Sequence, residues 1–504
     1  MQSILYVWLP NEKIYPGGPV YLADYVHKKA PEAEQHIIDL SQIEGKKERM
    51  QYLHRKIEEL NPDVVAFSWR NIQIFSPNQG DRSLENAFKF YYSWNPLEKL
   101  KAGVFGVKSV FRYSTRTKEL IGYINSVRNR KVVVGGSAFA LFADRLIMRL
   151  REGVLGVVGE GEEAMLKIAL GKWGKDLLDE RVIFRKGDKL FTGVQDDFVD
   201  IASIGSVDFE YIETVFPVLK EYLDGYIGVK TKRGCPYSCM FCSYPFIEGR
   251  KLRFRKPETV VDEIATLQDN YGVNKIWFTD SQFISAPKTV PHCNAVLEGI
   301  IKRRIDIEWG GYVRVDKIDE RLARNLVDSG IMHFELSITS GSQKLVDHMK
   351  MGYKLEKVIE ACKLIKKMGY DGQEVILNYS FNVPHETTDT LRESVDTYNR
   401  VKEIFGDGNV LPYIFFLGIQ PHTGLEKYAI ETGHIRPGYD PLAINPRTAK
   451  KMIYNPPPFN KFLARLYLDV LSEAKTQEER NRSGIRYLEE MEKRLANDSL
   501  MKKL

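Results

Sequence analysis

The chain has 504 residues, is 43% hydrophobic and 28% charged, and carries a formal charge of +6. That length accommodates two or three domains with cores of their own, and the composition excludes a disordered, collagen-like or disulfide-stapled protein. The charge is too mild to demand a nucleic-acid partner, and none is expected.

The first 170 residues alternate apolar strand-like runs with amphipathic helical runs, the order of a parallel sheet with crossover helices. Strands are predicted at 4–9, 36–40, 63–68, 131–134 and 154–158, with helices at 20–29, 46–60, 116–127, 138–150 and 162–170. This is an α/β, flavodoxin-like (Rossmann-like) domain over 1–170, with its ligand site at the carboxyl ends of the strands. Residues 75–113, which include FKFYYSW, interrupt it as an inserted lid or an extra helical layer. Residues 171–224 show weak periodicity and read as a connecting segment.

A second alternating series fills 225–425. Strands are predicted at 226–231, 274–279, 307–313, 333–339, 374–383 and 411–419, and helices at 257–270, 318–328, 355–368 and 387–401. Six strand and helix units predict a partial TIM-type (β/α)6 barrel, open on one side, with chemistry at its strand carboxyl ends. Residues 426–504 form a mostly helical tail that packs on the barrel and ends in a solvated helix. No apolar run reaches about eighteen residues, so no transmembrane segment is expected. The opening MQSILYVWLPNEK is too short and wrongly flanked for a signal peptide, which makes the cytoplasm the expected location.

Three of the five cysteines fall within eight residues, in GVKTKRGCPYSCMFCSYP, just after the first barrel strand. Cys235, Cys239 and Cys242 are candidate metal ligands; three thiolates on one loop leave one iron of a cubane 4Fe-4S cluster without a protein ligand. A zinc site would want a fourth Cys or His, and no His lies between Cys242 and residue 290. Cys293 and Cys362 read as small buried hydrophobes in helices.

With its aromatic Phe241 before the last cysteine, this motif resembles the signature of the radical S-adenosylmethionine superfamily. The resemblance extends along the barrel through RFRKPE (253–258), FTDSQF (278–283), WGGYVRVD (309–316), SITSGS (337–342), VPHET (383–387) and QPHTGLEKYA from Gln420. It implies that the free iron chelates the amino and carboxylate groups of S-adenosylmethionine, and that reduction releases a 5'-deoxyadenosyl radical. An external electron donor such as flavodoxin or ferredoxin is then required. For the cofactor, Arg314 is the candidate donor to the carboxylate or ribose, Asp280 the acceptor from the ammonium, and Ser340 and Ser342 the contacts to ribose or methionyl. The alternative for each is a strand-end polar residue capping a helix. Thr339 stands where relatives often carry Glu, and 382–387 replaces a frequent Gly-Phe-Pro-Gly-Glu-Thr.

The amino-terminal domain resembles the cobalamin-binding domain of the class that includes anaerobic magnesium-protoporphyrin ester cyclase and radical methylases. The resemblance rests on PGGPVYLADYV, NPDVVAFSW, VVVGGSAFAL and VVGEGEEAML. Candidate cobalamin contacts are Gly135 and Gly136, Gly159 and Gly161 beside a helix start, and the loop Trp69, Arg70 and Asn71. No Asp-x-His-x-x-Gly run supplies a cobalt-ligating histidine, and His27 reads as packing. The expected activity is C-methylation of an unactivated carbon in a small-molecule biosynthetic substrate, by a cobalamin-dependent radical methyltransferase. Oxidative cyclisation or rearrangement of a ring-containing metabolite, and a non-catalytic cobalamin or iron-sulfur sensor, are the alternatives. A methylthio transferase is disfavoured, because residues 1–234 hold no cysteine.

Overall fold

The computed structural model describes residues 1–10, 14–70, 82–194, 198–370, 374–442 and 451–497. Its first sheet contains β1 (Ile4–Trp8), β2 (Gln35–Asp39), β3 (Val64–Ser68), β4 (Lys131–Gly135), β5 (Val154–Val157), β6 (Val182–Lys186) and β7 (Lys189–Thr192). The order is β2-β1-β3-β4-β5-β6-β7, parallel through β5 and antiparallel beyond. The first five strands have the flavodoxin-like order. β1 and β5 are buried along their whole length, as continuous apolar runs covered by helices on both faces must be.

Residues 171–224 are more than a connector. β6 and β7 form a hairpin around Gly187, whose φ of 59° a glycine adopts without strain, and extend the sheet by two strands. Within the predicted insertion, the described part forms a helix at Arg82–Tyr92 and a long one at Pro96–Ser126. The first packs Phe88 against Phe416 and Tyr467, so it is a layer between the barrel and the tail. Residues 75–81 lie outside the described residues.

The second sheet is built from β8 (Ile227–Val229), β11 (Lys275–Phe278), β12 (Glu308–Val313), β13 (Ile331–Thr339), β14 (Glu374–Ser380) and β15 (Val410–Phe415). The short strands β9 (Lys232–Arg233) and β10 (Arg253–Phe254) pair separately. The six barrel strands are all parallel and in the sequential order β8-β11-β12-β13-β14-β15. Their residues alternate between fully buried side chains under the helices and half-buried ones on the concave face. That period of two turns Trp277, Tyr312, Glu335, Asn378 and Tyr413 toward the barrel interior. The tail helices Asn460–Ser472 and Ser483–Leu495 cover the barrel near β15, with Leu463, Tyr467 and Tyr487 buried. Among the described residues no helix is long and apolar enough to cross a membrane.

Candidate active site

The cysteine loop leaves the barrel after β9 and is tied down on several sides. Gly234, at φ 87°, brings its backbone so close to Lys251 that a Cβ would meet the carbonyl oxygen at 2.1 Å, so only glycine fits. Cys235 N–H donates to the Gly249 carbonyl, Met240 N–H to Met349, and Leu425 N–H back to Met240. The loop therefore touches Met349, at the end of the short helix that follows β13, and Leu425, in the run QPHTGLEKYA after β15. All five cysteines are free thiols. Cys293 and Cys362 are fully buried in helices and far from solvent, as expected of packing residues.

Burial pushes the Cys235 thiol up, the Cys239 thiol to about 11 and the Cys242 thiol to about 12, and each of the last two also feels the neighbouring cysteines' charge. Among the described residues no three Cys, His, Asp or Glu side chains converge on a single ion. Three soft thiols on one loop fit an iron-sulfur cluster with an open corner.

A cleft opens beside Cys239, lined by Gln282, Val313, Arg314, Asp316, Ser337, Ile338, Met351, Tyr353 and Val358. Arg314 stacks on Tyr237 at 3.8 Å and gives one N–H each to Asp316, the Met351 carbonyl and the Gly352 carbonyl. The fork is thereby fixed in orientation, with N–H groups left for the cleft. Thr339 sits at φ 59°, a strained conformation for a β-branched residue, at the end of β13 where its register with β14 shifts. Ser340 accepts from Ser342 N–H and lies near Ser394, while the buried Ser342 hydroxyl has no partner among the described residues. Gln282 and Ser337 were not singled out by sequence, although both lie within quoted runs; nothing in spacing distinguishes them from their neighbours.

Asp280 takes a different place from the one expected. Its carboxylate accepts from Thr231 N–H, Thr231 Oγ1, Lys232 N–H and Lys232 Nζ, all within 3.1 Å, and is almost wholly buried. Its acceptor capacity is used, so no oxygen remains for a cofactor ammonium. It anchors the strand that leads into the cysteine loop, and the Lys232 ammonium holds it below the usual carboxylate range despite burial.

The amino-terminal sheet faces the same end of the barrel. Gly136, at φ 101°, lies against the Trp69 backbone, where a Cβ would meet the carbonyl oxygen at 2.5 Å; Gly135 accepts from Trp69 N–H. The glycine pair thus lets two loops approach one another. The Trp69 side chain is core, at 1% exposure, whereas Arg70 is exposed and its charge reaches Tyr244 and Tyr312 of the barrel. Asn71 lies outside the described residues. Gly159 and Gly161 flank Glu160, and Glu160 and Glu162 hold Arg233 and Arg253 in buried ion pairs; Arg253 meets Glu160 at 2.5 Å. That helix start binds the barrel's own arginines, which is a docking clamp rather than an anion site. His27 stacks on Tyr211 at 3.5 Å and is packing, as expected. The helices starting at Gly17, Lys46 and Ser137 have no side-chain cap, but Gly17 N–H donates to the Tyr15 carbonyl and Ala138 N–H to the Trp69 and Arg70 carbonyls. The exposed Arg70 and the Gly135–Gly136 turn at the strand ends are the features of this sheet against which a bulky polar cofactor such as cobalamin would fit.

Residues 229–398 match the family model of the radical SAM superfamily, and the chain carries a radical SAM domain. Among curated proteins it is similar to a tryptophan 2-C-methyltransferase from Streptomyces laurentii, 27% identical over 225 residues (42% of this chain, 36% of the relative). It is also similar to an anaerobic magnesium-protoporphyrin IX monomethyl ester cyclase from Cereibacter sphaeroides, 24% identical over 392 residues (75% and 55%). The chain spans between about a third and just over half the length of these relatives. Its fold is that of the radical S-adenosylmethionine methyltransferase TsrM from Kitasatospora setae solved with cobalamin and a [4Fe-4S] cluster: TM-score 0.66, 19% identity, covering 96% of this chain and 85% of that one.

Proposed function

We propose that the protein is a cobalamin-dependent radical S-adenosylmethionine enzyme that methylates an unactivated carbon of a small-molecule substrate. The observation that carries this reading is the meeting of two sites at one barrel mouth: the tri-cysteine loop and its cleft on one side, the carboxyl end of the flavodoxin-like sheet with Arg70 on the other. When bound, a 4Fe-4S cluster on Cys235, Cys239 and Cys242 would supply reductive cleavage of S-adenosylmethionine to a 5'-deoxyadenosyl radical, and cobalamin would supply the methyl group.

The chain's own residues do the rest. Burial holds the thiols of Cys235, Cys239 and Cys242 protonated, so binding a cluster there would release protons and be favoured at higher pH. Arg314, locked over Tyr237, presents its remaining N–H groups to a carboxylate in the cleft, and Ser337 and Gln282 offer polar contacts beside it. The Arg233–Glu162 and Arg253–Glu160 pairs hold the sheet against the cysteine loop and limit water entry there. The electron comes from an external one-electron donor of the flavodoxin or ferredoxin class. Similarity to a C-methyltransferase and the absence of cysteine from residues 1–234 favour methyl transfer over sulfur insertion. The long alignment with a cyclase supports oxidative ring formation as the second reading.

The test is anaerobic reconstitution with and without cobalamin, followed by S-adenosylmethionine and a strong reductant. Formation of 5'-deoxyadenosine together with cobalamin-dependent S-adenosylhomocysteine is expected. 5'-Deoxyadenosine alone, with no cobalamin dependence, would favour the oxidative reading.

A further inference from the structure

Below the cofactor cleft, the concave face of the barrel carries a second polar site. In-register pairing sets Tyr312 beside Glu335 across β12 and β13, and Asn378 beside Tyr413 across β14 and β15. Asn378 Nδ2 donates to Glu335 Oε1 at 2.5 Å, which fixes the orientation of the amide. Its Oδ1 is then a buried acceptor with no donor, and Glu335 Oε2 receives no hydrogen bond from a described residue. No cation pairs with this half-buried carboxylate among the described residues. Two acceptors on this wall, Asn378 Oδ1 and Glu335 Oε2, lack a donor among the described residues, a deficit that a ligand donating hydrogen bonds would fill.

The surroundings are aromatic. Trp277 lies over Gly310, where a Cβ would meet the indole at 2.6 Å, and its ring centre is 5.8 Å from that of Tyr312. Tyr413 faces from the other side, close enough that Glu335 perturbs its hydroxyl. Ser337, two residues along β13 from Glu335, lines the cleft beside Cys239, so the two sites are consecutive levels of one strand.

We propose that Glu335 and Asn378 bind the substrate through a protonated nitrogen attached to a planar, aromatic or conjugated body held by Trp277, Tyr312 and Tyr413. A carboxylate ringed by aromatic faces recognises a cation twice, by charge and by the ring quadrupoles. This rests on the radical-enzyme reading for its reaction, but the binding site stands on the barrel wall alone.

Three probes differing in one group test it by titration calorimetry on the anaerobically reconstituted protein: 2-phenylethylamine, 2-phenylethanol and 3-phenylpropionate. The amine is expected to bind about tenfold tighter than the alcohol, with the carboxylate weakest, and Glu335→Gln to bring amine and alcohol within about twofold. The wild-type ratio needs no variant, and the thermal midpoint of Glu335→Gln checks its fold. Equal wild-type affinities, a preference unchanged in Glu335→Gln, or no binding of any probe at millimolar concentration overturns the proposal. Iron content measured on the same samples reports separately on the cluster, so its failure and that of the binding site are distinguishable.

Discussion

Glu386 illustrates how one side chain couples the barrel end to pH. Its carboxylate caps the loop after β14, accepting from Asn382 N–H at 3.0 Å and from Thr390 Oγ1 at 2.6 Å, and burial pushes it up to about 7. Below about pH 4.5 the group is protonated in both folded and unfolded chains and contributes nothing. As pH rises from there to about 7 the unfolded chain releases a proton that the folded one retains, so stability falls across that window and levels off above it. Because the residue is half-buried, the effect is about 1–2 kcal/mol. Glu386→Gln should flatten urea-unfolding stability between pH 5 and 7.5; an unchanged slope would contradict the assignment. The cysteines were legible at this scale because their spacing is itself the chemistry. Asp280 was not: its position in FTDSQF is the same whether its oxygens face a cofactor or the Thr231–Lys232 backbone, and only the fold shows the latter.

At the scale of elements, glycines with similar backbones do different work. Gly136 and Gly171 both have φ near 100°, but a Cβ at Gly136 meets the Trp69 backbone at 2.5–2.8 Å, whereas nothing lies within 4 Å of one at Gly171. Gly171→Ala should cost about 1 kcal/mol of backbone strain, and Gly136→Ala about 2–3 kcal/mol or more because the two loops must separate. Thermal unfolding of the two variants checks the ordering. The parallel strands were legible because buried strands are continuous apolar runs, as in β1 and β4. The β6–β7 hairpin was not, since β7 is largely exposed and its alternation is diluted by Lys189 and Thr192. The helix Pro96–Ser126 was also hidden along its first half: it exposes Leu97, Leu100, Val104, Val107 and Phe111, so its apolar positions do not mark the buried face, and Gly103 and Gly106 weaken its propensity.

Over the whole molecule, two α/β units are fastened with their strand carboxyl ends toward a common mouth. The fastening is electrostatic and buried: Arg233, two residues before Cys235, and Arg253 reach Glu160 and Glu162 after β5. Desolvation makes such pairs specific rather than strongly stabilising, and here they fix where the cysteine loop lies relative to the first sheet. The five parallel strands of the first sheet and the six of the second followed from alternation along the chain, but this fastening did not, because GEGEE reads equally well as an anion-binding helix start. The proposed chemistry depends on Cys235, Cys239 and Cys242 holding a cluster with one open iron. The decisive experiment is iron and sulfide analysis with electron paramagnetic resonance of the reduced protein, before and after S-adenosylmethionine. About four irons per chain, lost on replacing any one of the three cysteines by Ala, and a signal shifted by S-adenosylmethionine are predicted. One tightly held zinc, or a cluster signal indifferent to S-adenosylmethionine, would contradict it.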